Sequence, residues 1–152
     1  MTTRAIVRPV VRPICRPVAG ALGTPLLGPE LLANGGFDSD TVWTKGLSWA
    51  IAAGVATIVT PVALSSLTQS VSPTIGATYR VTFTVSGYIG GAASVRFRNS
   101  GANVVTFTGV AANGTYTADV VLPGAANEFA IVAPNSLASY SIDNVSLKQV
   151  FV

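Results

Sequence analysis

Across residues 78–86 the side chains alternate without a break: Tyr79, Val81, Phe83 and Val85 are apolar, while Arg80, Thr82, Thr84 and Ser86 are polar. A period of two puts the first set on one side of an extended chain and the second on the other. That suits a strand with one face on a core and excludes an amphipathic helix. Val95 and Phe97 alternate with Arg96 and Arg98 in the same way, and Val105 with Phe107, Tyr116 with Val120, and Phe129 with Ile131 continue the theme. Between these runs stand Gly90-Gly91, Asn99-Ser100-Gly101, Asn113-Gly114, Pro123-Gly124 and Pro134-Asn135, all turn formers. No stretch of the body sustains a helical period. Short strands at this spacing predict an all-β chain folded as an antiparallel sandwich or barrel.

The last run slips phase. Tyr140 and Ile142 are apolar at even positions, Val145 and Leu147 at odd ones. One extra residue near Asp143-Asn144, a β-bulge, would return both halves to the same inward face.

The front of the chain obeys different rules. Arg4, Arg8, Arg12 and Arg16 recur every four residues, and Pro9, Pro13 and Pro17 follow three of them directly. Four-residue spacing suggests a helix face, but each proline removes a backbone donor and clashes with the preceding turn. Each also drives the arginine before it toward extended geometry. Residues 1–18 therefore read as an extended basic arm, 19–29 as a Gly/Pro linker, and 30–152 as the β-domain. Extended, the arm would reach on the order of 55 Å at about 3.1 Å per residue. All three prolines fall at odd positions, so a strand made from the arm has one edge free to pair and one edge blocked.

Charge is divided along the same boundary. Residues 1–28 carry four arginines and no acid, and residues 29–152 carry five bases and six acids. The excess positive charge lies in the arm, which suits an acidic partner. No aromatic residue interleaves the arginines for base stacking, so nucleic acid is disfavoured as that partner. Only 10% of residues are charged, and 49% are hydrophobic, which suits a surface partly hidden in an assembly. The single cysteine, Cys15, rules out an intrachain disulfide. The apolar run 49–64 is interrupted by Gly54, Thr57, Thr60 and Pro61 and falls short of a membrane span. Arginines in the first sixteen residues argue against a secretory signal.

Three stretches together resemble a known family: Glu-Leu-Leu-Ala-Asn-Gly-Gly-Phe-Asp at 30–38 with Trp43 and Trp49 after it, Gly-Ala-Thr-Tyr-Arg-Val-Thr-Phe-Thr-Val-Ser-Gly at 76–87, and Tyr-Ser-Ile-Asp-Asn-Val-Ser-Leu at 140–147. They are similar to the carbohydrate-binding-module-like jelly rolls of the galactose-binding-like superfamily, over nearly all of residues 30–150. The resemblance implies a jelly-roll sandwich of the kind found in glycoside hydrolases and in tailed-phage virion proteins. The Arg-Pro arm is foreign to the module and favours the virion versions. Some modules of the family hold a structural calcium between their first and last strands, and the corresponding acids would be Glu30 or Asp38 with Asp143. Calcium wants six to eight oxygens, so solvated or turn-capping carboxylates are the favoured reading, and no other cofactor is expected.

Catalysis has little material. The chain has no histidine, and its one cysteine lies in the arm, so the usual base–nucleophile pairs are missing. A sugar platform needs exposed aromatic faces. Trp43 and Trp49 are expected in the core, which leaves Tyr88, placed by the pattern in the turn after a strand. Arg96 and Arg98 share the outer face of one strand and are candidates for glycan or neighbour contact. The expectation is a non-enzymatic phage virion protein, made in the host cytoplasm and carried on the capsid surface as a decoration or cement protein. Its arm (Arg4, Arg8, Pro9, Arg12, Pro13, Arg16 and Pro17) would bind the major capsid protein or other virion proteins, with self-association as a trimer and no membrane contact. The alternatives are a tail- or fibre-associated adaptor and a glycan-binding module for host attachment.

Overall fold

The computed structural model describes residues 24–59 and 64–151, with the backbone alone for 107–109. The arm, and with it every arm residue expected to bind a partner, lies outside the described residues. Eleven strands follow one another without a helix among these residues: β1 Leu26–Glu30, β2 Thr44–Lys45, β3 Trp49–Ala52, β4 Val55–Val59, β5 Ser65–Ser70, β6 Thr78–Gly90, β7 Ala93–Asn99, β8 Ala102–Val110, β9 Gly114–Val121, β10 Glu128–Ala133 and β11 Ser139–Phe151. They form two antiparallel sheets. The first runs β3-β4-β11-β6-β9, with β1 also on β11, and the second runs β2-β5-β10-β7-β8. The all-β sandwich expected from period-two alternation is what forms. β1 begins at Leu26, within the segment whose glycines and prolines read as linker, because its backbone pairs with Phe151 and Val150 at the end of β11.

The alternation is spent as it predicts. Tyr79, Val81, Phe83 and Val85 of β6 are buried inward, against Val95 and Phe97 of β7 and Phe129 and Ile131 of β10 from the other sheet. The register of β11 on β6 shifts between Asp143 and Ser146, and Asn144 takes a φ of +51°. This is the bulge that the phase slip requires, and it keeps Tyr140, Ile142, Val145 and Leu147 all buried.

The 30–38 motif is structural. Glu30 Oε1 accepts from the backbone N–H of Leu31, Leu32 and Leu147, and Ser146 Oγ donates to Oε2 at 2.6 Å. This one carboxylate ties β1 to β11 just past the bulge. Asn34 donates from Nδ2 to the Ser39 carbonyl, and Trp43 Nε1 donates to the Asn34 carbonyl at 3.0 Å. Gln69 of β5 grips Ala33 as a strand would, accepting from its N–H at 2.7 Å and donating to its carbonyl at 2.9 Å. Glu30→Ala would leave three backbone donors without that partner. It should lower unfolding free energy by about 2 kcal/mol in urea titrations, and an unchanged midpoint would refute the tie.

Candidate functional site: the outer face of the second sheet

Each strand of the second sheet has an outward set fixed by the same parity. From β5 it is Ser66, Thr68 and Ser70. From β10 it is Glu128, Ala130 and Val132, and from β7 it is Ser94, Arg96 and Arg98. Cross-strand registers bring Ala130 beside both Thr68 and Arg96, Val132 beside Ser66 and Ser94, and Glu128 beside Arg98. The centre of this face is closed to solvent by the side chains around it. Ala130 is 0%, Val132 2% and Ser94 7% exposed, although the first two face away from the interior and stand outside the core cluster. Around them Ser66, Thr68, Arg96, Arg98 and Glu128 are half-buried. Small side chains with hydroxyls, guanidinium groups and a carboxylate around them can hold a polar, flexible ligand by hydrogen bonds.

The two arginines differ in commitment. Arg98 donates from Nη1 to Glu128 Oε1 at 3.2 Å and from Nε to the Gly101 carbonyl at 3.1 Å. Arg96 reaches only Asn103 Oδ1, at 3.4 Å from Nη1, and its buried Nε has no hydrogen-bond partner. A guanidinium has five donors, so Arg96 retains capacity that Arg98 has spent. An unsatisfied buried donor is uncommon enough to call for a reason.

The other residues singled out in the sequence are placed as follows. Tyr88 does not sit in a turn. It lies within β6, beyond a bend at Gly87 (φ +58), half-buried against the core, and its hydroxyl donates to the Gly91 carbonyl at 2.6 Å. The alternation ends at Ser86 while the hydrogen-bonded strand continues, and this is why the pattern misplaced it. Trp43 and Trp49 are core residues, each 6% exposed. Glu30 is occupied by its four donors, Asp38 is exposed, and Asp143 caps the bulge through the N–H and amide of Asn144. These three acids are not gathered, and no cluster of three or more metal-ligating side chains occurs among the described residues. No helix among them is long and apolar enough to cross a membrane.

The outer face of the first sheet carries a lattice of paired hydroxyls. Thr84 meets Thr115 at 3.0 Å, Thr82 meets Thr117 at 3.2 Å, and Thr57 meets Ser141 at 2.9 Å, hydroxyl to hydroxyl. Arg80 clamps Asp119 with two 2.7 Å bonds from Nε and Nη2. These bonds, with a smaller charge contribution, hold the Asp119 carboxyl below the usual carboxylate range. A depressed carboxylate pKa stabilises the fold above the unfolded value, and the gain is lost as pH falls through the folded one. The pair is solvent-exposed, so the effect is small. Burial, with a lesser contribution from Tyr88, raises the Tyr140 hydroxyl well above the ordinary tyrosine range. These hydroxyls are committed to one another, which leaves the second sheet as the better-equipped face.

No protein-family model matches the chain, and no curated protein sequence matches it. Solved structures do. A CBM4 structure superposes with a TM-score of 0.62 at 14% identity, over 77% of this chain and 98% of its own. The CBM22-1 xylan-binding domain of Paenibacillus barcinonensis Xyn10C gives 0.55 at 12% identity, over 87% and 99%. The enzymatically active domain of tailspike protein 4 from bacteriophage CBA120 gives 0.54 at 17% identity, over 79% of this chain and 21% of that one. The chain has the carbohydrate-binding-module-like jelly-roll fold.

Proposed function

We propose that the chain is a non-catalytic glycan-binding module and that the polar outer face of the second sheet takes the sugar. The observation that carries this reading is an under-committed Arg96 beside the buried, outward-facing Ser94, Ala130 and Val132. The fold supports it, since complete carbohydrate-binding modules superpose over nearly their whole length. The non-catalytic reading draws on the same similarity and on the absence of histidine. No aromatic residue lies among the outward set of β5, β10 and β7, so recognition there rests on hydrogen bonds and affinity should be weak, with Kd about 0.1–1 mM. Calorimetry of the full chain against a panel of soluble glycans should give one saturable binder, and Arg96→Ala should weaken it about tenfold. A panel with no saturable binder, or an Arg96→Ala chain that binds unchanged, would sink this assignment.

A second reading is favoured by the Arg-Pro arm, which no glycan-binding module requires. In it the module belongs to a phage particle and the arm anchors it, as a capsid decoration or cement protein or as a tail- or fibre-associated adaptor. The fold shared with a phage tailspike domain supports the setting. Both readings hold together if the arm fixes the module to the virion surface and the polar outer face meets host glycans. Co-sedimentation with purified particles tests the anchor: the full chain should pellet and a chain lacking residues 1–18 should not. Equal pelleting of the two would exclude it.

A further inference from the structure

We propose that the open side of the sandwich, between β8 and β9, is where the Arg-Pro arm of a second copy of this chain adds as a strand. The proposal is independent of the glycan reading and is an alternative to the arm as a virion anchor. β9 ends the first sheet and β8 ends the second, and on this side the two sheets do not close. Ala118 pairs with Val81 and so faces the core side, yet it is exposed, and Tyr116 and Val120 on the same side of β9 are only half-buried. Between the edges lies a groove of about 550 Å³ lined by Val81, Phe83, Val110, Tyr116, Ala118 and Val120, among others. Phe83 and Tyr116 stack there with ring centroids 5.7 Å apart.

β9 is eight residues long and carries neither proline nor lysine. Its one charge, Asp119, is held by Arg80. Natural edge strands are usually shortened, charged, bulged or covered, because a bare edge recruits another strand. Among the described residues no strand pairs with this edge, no bulge interrupts it and its charge is already paired, and the sequence supplies a segment that would cover it. In the arm, Ala5, Val7, Pro9, Val11, Pro13, Cys15 and Pro17 share one face and are all apolar, which matches the groove. The arginines share the opposite face. Even positions keep their N–H groups for β9, while the prolines leave the new outer edge unable to pair again. The arm thus fills the groove and ends the sheet.

Chain direction selects the copy. Leu26 pairs with Phe151, Val150 with Thr78, and Thr78 with Val121. The arm of the same chain therefore enters at the Val121 end and would lie parallel to β9. An arm from a second copy can approach from the other end and pair antiparallel, as every paired strand among the described residues does, with the better hydrogen-bond geometry.

Two measurements on the full chain test this. One copy carries Cys15→Ser and Ala118→Cys, is mixed with the unmodified chain and is oxidised. A dimer joining Cys15 to the new thiol at position 118 is expected in the proposed register, which sets Cys15 opposite Ala118, because facing positions on paired strands lie within disulfide reach. In a chain carrying Cys15 and Ala118→Cys together, a disulfide that stays within one chain at every dilution would show the arm on its own body and overturn the exchange. Hydrogen exchange is indifferent to register. The β9 amides should exchange about tenfold more slowly in the full chain than in the Val7→Asp, Val11→Asp double variant. Equal exchange in the two would overturn the docking itself.

Discussion

Replacing Gly35 with alanine should be strongly destabilising. A Cβ built on Gly35 would stand 1.9 Å from the Val145 carbonyl oxygen and 3.0 Å from its carbon. Both are backbone atoms, so no side chain can swing away. The neighbouring backbone is fixed from the other direction as well, because Val145 N–H donates to the Gly35 carbonyl at 2.9 Å. The bulge at Asn144 is what brings β11 this close, so the contact cannot relax without undoing the register shift that keeps Val145 and Leu147 inside. A loss of about 3 kcal/mol or more is expected, a large share of the stability of a domain this size. The control is Gly36→Ala, whose nearest contact would be Asp38 Oδ2 at 3.7 Å. Its effect should stay within about 1 kcal/mol. Urea midpoints of the two variants decide the matter, and equal shifts would mean that the close approach does not constrain the fold.

This pair of glycines shows where sequence reading succeeds and where it stops. The bulge was legible, because a change of parity within one strand has few other remedies. The strands were legible for the same local reason. The partner of Gly35 was not, since Val145 is more than a hundred residues away and nothing near Gly35 names it. Glu30 presents the same difficulty: its sequence neighbours suggest a turn cap or a metal ligand, whereas two of its four donors come from Ser146 and Leu147. Arg96 and Arg98 were correctly put on an outer face. That Ala130 and Val132 are buried beside them, although they face outward, depends on how β5, β10 and β7 are ordered, which alternation alone does not specify. Tyr88 failed differently, because the strand outlasts the pattern used to find it.

Phe129→Ala should be among the most damaging changes to the interior, and it should also separate binding from folding. Phe129 is fully buried in a run of rings that crosses the sandwich. Phe37 and Trp43 lie 5.4 Å apart, Trp43 and Phe129 6.4 Å, Phe129 and Phe97 6.0 Å, and Phe97 and Tyr79 5.7 Å. The run joins the 30–43 segment to β10, β7 and finally β6 of the other sheet. Truncation would open a cavity at its centre, with an expected loss of about 3–5 kcal/mol. Phe129→Leu should cost less, because it returns most of the volume, and Phe151→Ala at the exposed end of β11 should stay within about 1 kcal/mol. On either side of Phe129 in the chain stand Glu128 and Ala130, which face outward. A cavity beneath β10 therefore disturbs the centre of the proposed glycan face, so Phe129→Ala should lose stability and binding together. Arg96→Ala should lose binding with little loss of stability, because the side chain gives up one long bond, from Nη1 to Asn103 Oδ1 at 3.4 Å, and an Nε that makes none. If Phe129→Ala kept full affinity while losing stability, the ligand would have to sit elsewhere than over β10.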